Sequence, residues 1–305
     1  ELVGPAARGR LEDARELVLD DLVHARALGA EEVTEELRDL VLPHRLIRRD
    51  QELLEVFAHR VRGLITSRWV FLERLHHDGL ESVVDVGRDV RAFRKGDRVA
   101  TVQRFHICGA CRYCRTGRET LCPERKFTGD LGMVGGYAEY VAIEDDNVAR
   151  VPEGVPLQDA AIVACAIGTI LNAIREIGKL QPGETALVTG AGGGLGMHAV
   201  QLARLAGALV IAQTTSREKA DQIRGLGAHT VIVHARGEDF SGAVKKATGG
   251  AGVDVAIDNV GSQLFEPIRR SMGIGGRWVM IGQLTGGFVP FNPAQLFLKN
   301  VSMLS

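Results

Sequence analysis

The stretch from Thr185 to Ser216 constrains the fold of this 305-residue chain more than any other part of it. A short apolar strand over residues 185–189 leads into a glycine-rich turn, then a helix, then a second apolar strand over residues 209–212. A strand without polar alternation is expected where both faces of a sheet are covered. The order of strand, turn, helix and strand therefore predicts an α/β fold with a doubly wound parallel sheet.

The glycine turn predicts a dinucleotide site. Because glycine has no Cβ, the backbone can turn sharply, and its N–H groups can approach a pyrophosphate at the positive end of the following helix. The predicted cofactor-binding residues of the turn are Gly190, Gly192, Gly193, Gly194, Leu195 and Gly196. A glycine-rich loop without a ligand is the alternative, and the context of strand, turn and helix favours the dinucleotide.

The residues that follow the second strand predict which dinucleotide binds. An NAD enzyme places an acidic side chain there to bind the ribose 2′-hydroxyl, and Thr214 occupies that position. Ser216, Arg217 and Lys219 come next and could donate hydrogen bonds to a 2′-phosphate. This pattern favours NADP(H). The alternative is a polar helix start in which Ser216 is only the N-cap.

Strands and helices continue to alternate up to the end of the sequence. Further strands are predicted over residues 231–233, 253–257, 277–281 and 301–304, and helices over 196–205, 217–226, 239–248 and 264–272. Six parallel strands in the order 3-2-1-4-5-6 are expected. Asn259 and Gly282 follow the fourth and fifth strands, so we predict that they lie beside the nicotinamide; Asn259 as a loop former is the alternative.

Short strands separated by glycine and charged turns predict a β-rich domain over residues 75–155. It contains Cys108, Cys111, Cys114 and Cys122, with spacings of two, two and seven residues. Four thiolates suit one tetrahedral Zn²⁺ at about 2.3 Å per sulfur and leave no open position, which predicts a structural zinc. Free thiols or an iron–sulfur cluster are the alternatives, although a ferredoxin-type run places about three residues before its last cysteine.

The first 74 residues show helical periodicity, and no cofactor motif is found in them. Apolar residues recur at helical spacing over 11–40 and 51–64, and Pro43 interrupts the pattern. We therefore predict three parts: a helical segment of unknown role (1–74), the β-rich domain (75–155) and the nucleotide domain (156–305).

Composition and charge restrict the partners. The formal net charge is −1 without a basic stripe, which argues against nucleic acid. The longest apolar run, Ala160–Ile174, is shorter than the roughly 20 residues of a membrane span and predicts a buried helix. Metal-like cysteine spacing and the lack of a signal-peptide pattern favour the cytoplasm. The start at Glu1 and the end at Ser305, just after a strand, suggest a fragment.

A cysteine lobe followed by a doubly wound nucleotide domain resembles the zinc-containing medium-chain dehydrogenase/reductase family, which includes the alcohol dehydrogenases. The resemblance runs from Leu75 to Ser305. It implies a GroES-like catalytic domain over 75–155 and a Rossmann domain after it. It also implies a nicotinamide cofactor, Zn²⁺, a small-molecule substrate and a homodimer or homotetramer.

The resemblance also assigns catalytic residues. Residues 75–87 have the spacing of the family's Gly-His-Glu turn, so His77 takes the place of the catalytic zinc histidine and Asp78 replaces the neighbouring glutamate. Cys165 matches the later zinc cysteine. Residues 43–70 contain no cysteine for the first zinc position. A turn histidine at His77 and a small buried residue at Cys165 are the alternatives.

The function that follows is that of an NADP(H)-dependent oxidoreductase, a zinc-type alcohol dehydrogenase that transfers hydride between nicotinamide and an alcohol or carbonyl. One alternative is a zinc-independent enoyl, acryloyl-CoA or quinone reductase, since the glycine run is similar to that branch too. The other is a nucleotide-binding protein without catalytic activity.

Overall fold

The computed structural model describes residues 69–74, 81–127 and 140–305. The chain divides into two compact units, Glu1–Ala161 and Ile162–Ser305. The division thus follows residue 161 rather than residue 155. Most of the helical segment predicted for residues 1–74 lies outside the described residues. Its last six residues, Trp69–Arg74, form a strand, so the prediction of helix was wrong there.

The first unit contains a five-stranded antiparallel sheet and a separate strand pair. Its described strands are β1 (Trp69–Arg74), β2 (Glu81–Val86), β3 (Arg98–Thr101), β4 (Arg104–His106), β5 (Lys126–Phe127), β6 (Tyr140–Glu144) and β7 (Val148–Arg150). The sheet order is β6-β1-β2-β3-β7, and β4 pairs with β5. The predicted β-rich domain of short strands is confirmed.

Alternating apolar residues place the core of this sheet on one face. Val70 and Leu72 of β1 are buried and pair with Ile143 and Val141 of β6, which are buried as well. Successive side chains of a strand point to opposite faces, so residues two apart share the core. The same alternation buries Val83 of β2 in this cluster.

The second unit contains a six-stranded parallel sheet. Its strands are β8 (Thr185–Val188), β9 (Leu209–Thr214), β10 (Thr230–Val233), β11 (Val253–Asp258), β12 (Met272–Met280) and β13 (Ser302–Leu304). Their order is β10-β9-β8-β11-β12-β13, which is the predicted 3-2-1-4-5-6. The order reverses between β8 and β11, so the crevice of this fold lies at the carboxyl ends of these two strands.

Helices cover both faces of the parallel sheet. The described α-helices of the chain are α1 (Leu157–Ala161), α2 (Gly168–Asn172), α3 (Gly194–Leu205), α4 (Ala220–Gly225), α5 (Ser241–Ala247), α6 (Phe265–Ser271) and α7 (Ala294–Phe297). Ala186 and Val188 of β8 pack in one buried cluster with Val200 of α3, whereas Leu187 packs in the other with Ile268 of α6. Both faces of β8 are buried, which explains its unbroken apolar sequence.

The apolar run Ala160–Ile174 is helical, but only one side of it is buried. It comprises the end of α1, α2 and two π-helical turns, Val163–Ile167 and Ala173–Ile177. Ile170 and Ile174 are buried, whereas Val163 and Leu171 are nearly half exposed, so the prediction of a buried helix was wrong for that side. Among the described residues, no helix is long and apolar enough to cross a membrane.

Candidate functional site

The glycine turn joins β8 to α3 as the sequence predicts. Gly190 has a φ of 58°, a backbone conformation that favours glycine, and its carbonyl accepts the N–H of Gly193 at 2.9 Å. α3 begins at Gly194, two residues before the predicted start. The first N–H groups of a helix lack intrahelical partners and carry partial positive charge, so this end of α3 can receive an anion.

Gly196 allows α3 to lie directly against the turn. A Cβ at this position would come within 2.2 Å of the Gly190 carbonyl oxygen and 2.7 Å of Ala191 Cα. Both are backbone atoms, so no side-chain movement could relieve the contact. Gly194 differs, because a Cβ there would meet no heavy atom within 4 Å. Close packing therefore requires glycine at position 196 but not at position 194.

The end of β9 contacts the glycine turn. Thr214 is buried, and its Oγ1 accepts the N–H of Ser216 at 3.1 Å. The exposed Lys219 extends to the turn, where its Nζ donates to the Gly192 carbonyl at 2.8 Å. A Cβ at Gly192 would lie 3.1 Å from Thr214 Oγ1 and 3.2 Å from Lys219 Cδ.

The residues predicted to bind a 2′-phosphate thus differ in their contacts. Lys219 binds the turn itself, whereas Arg217 is exposed. The helix predicted to begin at Arg217 begins at Ala220, so the alternative role of Ser216 as its N-cap was wrong. Ser216 is half-buried, with its N–H held by Thr214.

Asp258, at the end of β11, organises the neighbouring loop. Its Oδ1 accepts the Thr189 hydroxyl at 2.9 Å and the N–H groups of Val260 and Gly261 at 3.0 and 3.1 Å. Its Oδ2 accepts Trp278 Nε1–H at 3.2 Å. The carboxyl group is fully buried, and these donors compensate for its lost hydration. The sequence shows the acid but not its four partners.

Asn259 is the cofactor-binding candidate with the most informative contacts. Its Nδ2 donates to the Thr189 carbonyl at 2.9 Å, and its main-chain N–H donates to Thr189 Oγ1 at 3.0 Å. Because a carbonyl can only accept, the Nδ2 contact fixes the orientation of the amide. Its Oδ1 is the one buried side-chain polar atom without a hydrogen-bond partner among the described residues. Such an acceptor costs about 1–3 kcal/mol, which a ligand's donor group would offset.

Asn259 lies against the glycine turn and against the loop after β12. A Cβ at Gly190 would be 3.9 Å from Asn259 Cβ, and a Cβ at Gly282 would be 2.6 Å from the Asn259 carbonyl oxygen. The loops after β11 and β12 are bridged by Gln283, whose Oε1 accepts the Ser262 N–H at 2.8 Å and whose Nε2 donates to Ser262 Oγ at 3.1 Å. The turn and both predicted nicotinamide loops therefore meet at the crevice.

These two loops also border a cavity of about 330 Å³. Its apolar walls include Phe265, Trp278 and Val289, and its rim includes Ser262 and Gln283. Phe265 packs on Trp278 with ring centroids 4.8 Å apart.

In the first unit, the four cysteines come together as predicted. The Sγ–Sγ distances are 3.5 Å for Cys111–Cys114, 3.6 Å for Cys108–Cys122 and 4.0 Å for Cys108–Cys114, and all four sulfur atoms lie within 4.8 Å of one another. Four sulfurs at 2.3 Å from a tetrahedral ion would be about 3.8 Å apart. The lobe therefore fits a tetrahedral metal.

The four thiols of this lobe do not ionise together without a neighbouring cation. Desolvation, with hydrogen bonds to the thiols of Cys111 and Cys122, raises the pKa of Cys114 to about 12. Four thiolates cannot coexist at neutral pH without a compensating positive charge. Tyr113 lies between Cys111 and Cys114 in the sequence, and the Arg112 guanidinium is 4.6 Å from the centre of its ring.

Of the three candidate catalytic residues, the structure describes Cys165. His77 and Asp78 lie outside the described residues. Cys165 lies in the π-helical turn Val163–Ile167 of the second unit, and it is exposed. Its alternative interpretation as a small buried residue was therefore wrong.

Comparison with known proteins identifies the family. A model described as "Alcohol dehydrogenase GroES-like domain" matches residues 61–153, and one described as "Zinc-binding dehydrogenase" matches residues 194–305. A crystal structure of an NAD-dependent alcohol dehydrogenase superposes with a TM-score of 0.70 at 30% identity, covering 78% of this chain and 76% of that one. The chain belongs to the medium-chain dehydrogenase/reductase family. The family and the fold predicted from the motifs are confirmed.

Curated relatives in this family include acryloyl-coenzyme A reductases, alcohol dehydrogenases and quinone oxidoreductase-like proteins. Acryloyl-coenzyme A reductase of Sulfurisphaera tokodaii is 35% identical over 224 residues, which is 73% of this chain and 62% of that protein. An alcohol dehydrogenase of Geobacillus stearothermophilus is 35% identical over 229 residues, 74% of this chain and 65% of that protein. The chain thus spans less than two thirds of the length of these relatives.

The two glycines of the turn provide a matched test of its geometry. We expect Gly196→Ala to lower the free energy of unfolding by about 1–3 kcal/mol, because the added methyl group meets backbone atoms. Gly194→Ala should change it by less than about 0.5 kcal/mol. Urea unfolding followed by tryptophan fluorescence measures both. Equal stability of the two variants would contradict the close approach of α3 to the turn.

Proposed function

We propose that this chain is an NADP(H)-dependent oxidoreductase. One observation carries the proposal. At the crevice of the parallel sheet, the glycine turn lies against two polar residues, Thr214 at the end of β9 and Asn259. When bound, the nicotinamide supplies hydride chemistry at its C4 atom. The residues of the chain bind the dinucleotide and hold its reactive ring in place.

The turn and α3 suit the pyrophosphate. The N–H groups of residues 194–196 belong to the first turn of α3, so they are free of intrahelical bonds and can donate to phosphate oxygens. Lys219 adds a positive charge next to them through its contact with Gly192. Asn259 Oδ1, buried and unpaired, can accept a hydrogen bond from a ribose hydroxyl or the nicotinamide amide.

Cofactor choice follows from the end of β9. Thr214 replaces the acid that would bind a 2′-hydroxyl and repel a 2′-phosphate. Arg217 is exposed just beyond it, and its guanidinium can form two parallel hydrogen bonds to a phosphate. These features support NADP(H) over NAD(H).

Replacing Arg217 tests this choice. We expect Arg217→Ala to weaken NADP⁺ binding about tenfold or more and to leave NAD⁺ binding unchanged, because only the 2′-phosphate meets this cation. Arg224→Ala is the matched control, since Arg224 is an exposed residue of α4 paired with Asp221. Calorimetric titration with both nucleotides gives the affinities. Tighter binding of NAD⁺ than NADP⁺ by the wild type would contradict the assignment.

The first candidate substrate class is an alcohol or carbonyl. In this proposal His77 and Cys165 hold a catalytic zinc, with Asp78 beside the histidine, and such an ion would act as a Lewis acid on the substrate oxygen. The alcohol dehydrogenases among the relatives support this class.

The second candidate substrate class is an activated alkene, reduced without a catalytic zinc. Two observations favour it. Relatives from Sulfurisphaera tokodaii and Metallosphaera sedula are named acryloyl-coenzyme A reductase. In addition, residues 43–70 contain no cysteine to complete a catalytic zinc site.

The cysteine lobe is proposed to hold one structural Zn²⁺ in either case. Its four sulfurs leave no position for water or substrate, so this ion would stabilise the lobe and take no part in hydride transfer.

Zinc content distinguishes the lobe from a catalytic site. Mass spectrometry of the purified protein should give two zinc ions per chain for the alcohol enzyme and one for the alkene reductase. We expect Cys111→Ser to remove one ion in both cases, because a tetrahedral site loses one of its four ligands. Cys165→Ser removes an ion only if the catalytic site exists. Full zinc content in Cys111→Ser would contradict the lobe assignment.

A substrate panel tests the activity itself. The full chain, with NADPH, is offered aldehydes, ketones, enones and acryloyl-CoA, and the loss of NADPH absorbance is followed. Turnover of aldehydes or ketones supports the first class, and turnover of the alkenes supports the second. Binding of NADPH without oxidation by any substrate would contradict the proposed activity and indicate a binding protein.

A further inference from the structure

Beneath the glycine turn, a chain of hydrogen bonds joins Gly190 to the ring of His234. The Gly190 N–H donates to Gln213 Oε1 at 2.9 Å, and the Ala191 N–H donates to the Gln213 main-chain carbonyl at 2.9 Å. Gln213 Nε2 is hydrogen-bonded to His234 Nε2, and His234 Nδ1 lies 2.7 Å from the Ala235 carbonyl oxygen. Gln213 and His234 are 2% and 8% exposed, so water does not replace these partners.

The donor at one end of this series of hydrogen bonds and the acceptor at the other fix the direction of every bond in it. A peptide N–H can only donate, so the Gln213 atom facing Gly190 is the oxygen and its NH₂ group faces His234. A peptide carbonyl can only accept, so His234 Nδ1 carries a proton toward Ala235. His234 Nε2 must then be the unprotonated acceptor for Gln213, which makes the ring neutral.

Protonation of His234 would break this arrangement. The imidazolium has donors at both ring nitrogens and no acceptor for the Gln213 NH₂ group. If the amide turned over to present its oxygen to the ring, its NH₂ group would face the Gly190 N–H, and two donors would oppose each other. In either orientation one buried donor loses its partner, which is unfavourable.

We infer that Gln213 and neutral His234 are positioning residues for the dinucleotide turn, and that protonation of His234 weakens nucleotide binding. The inference rests on the proposed function, since it concerns the affinity of the same turn. Gln213 acts through Gly190, at the residue where the backbone adopts its left-handed conformation. Losing this acceptor would free the start of the turn and raise the cost of ordering it around a pyrophosphate.

The described contacts of the His234 ring are with the uncharged residues Gln213, Ala235 and Phe240, whereas His198, half-buried on α3, belongs to the turn side and is present in every variant compared below. On its own loop, Arg236 is exposed, Glu238 accepts the Ala235 N–H at 2.9 Å, and Asp239 accepts the Ser241 N–H at 2.8 Å. Across the sheet, β9 presents uncharged residues, and its neighbour Lys219 is bound to the turn. The Phe240 ring covers the imidazole at 5.0 Å between centroids.

The test compares three variants of the full chain with the wild type by calorimetric titration with NADP⁺, which is stable in acid. At about pH 8 we expect Gln213→Leu and His234→Leu to bind about tenfold more weakly. His234→Gln should recover most of the loss, because its amide oxygen can accept from Gln213. Between about pH 8 and pH 5.5 the wild type should lose affinity more steeply than His234→Gln. Of the two side chains compared at position 234, only the imidazole can gain a proton in this range.

Two controls separate positioning from general damage. The 2′-phosphate titrates near pH 6, but it contributes equally to the wild type and His234→Gln, so only the difference between them reports on the ring. Melting temperatures at each pH identify variants that have lost the fold. Hydrogen exchange of residues 189–196, measured without nucleotide, should be faster in His234→Leu than in the wild type. This measurement reports on the order of the turn independently of nucleotide binding.

The possible results are distinguishable. Wild-type affinity in folded Gln213→Leu and His234→Leu would overturn the whole inference and leave the proposed function standing. Equal pH slopes in the wild type and His234→Gln would overturn the effect of protonation. A wild type that binds neither NADP⁺ nor NAD⁺ would overturn the proposed function and this inference together.

Discussion

The closeness of α3 to the glycine turn is the constraint on which the candidate nucleotide site depends. Gly196 lies so near the Gly190 carbonyl that the backbone of the helix replaces a side chain as the packing surface. This approach brings the positive end of a helix to the carboxyl end of β8, in the middle of a sheet whose strand order reverses there. The helix is held by Ala199, Val200 and Ala203, which are small enough to pack directly on the strands. The proposed phosphate binding would therefore depend on packing as much as on charge.

Two neighbouring polar residues, Asp258 and Asn259, differ in how completely the protein pairs them, which matches the ligand-binding role proposed for Asn259. Asp258 receives hydrogen bonds from two side chains and two backbone groups, so both of its oxygens are paired within the protein and the loop after β11 is fixed. Asn259 is held by Thr189 through its NH₂ group but keeps a buried oxygen unpaired. A fully paired acid next to an unpaired amide is what a pre-organised binding site requires, because the cost of orienting the amide has been met during folding.

The parallel sheet and the cysteine lobe differ in how much apolar surface they bury. The parallel sheet buries two continuous apolar clusters, one on each face. The cysteine lobe lacks such a core: Cys122 is buried, but Cys108, Cys111 and Cys114 are only half-buried, and most residues between them are exposed. The proposed structural zinc would order such a segment, which the hydrophobic effect alone does little to stabilise. The four cysteines are also close in sequence, so a short run of turns is sufficient to bring them together.

Sequence alone determined those features that depend on local spacing: the glycine turn between two strands, the alternation of strands and helices, the strand order of the parallel sheet and the grouping of Cys108, Cys111, Cys114 and Cys122. Residues 1–74 carried a helical pattern, and the structure shows that Trp69–Arg74 is a strand because β2 and β6 pair with it on either side. Only the tertiary structure decided that Lys219 binds the turn, that Cys165 is exposed, and that Gln213 joins Gly190 to His234. The physical reason is distance along the chain. Thr189 and Asp258, for example, are 69 residues apart in sequence and in direct hydrogen-bond contact in the fold, and no local periodicity encodes such a pair.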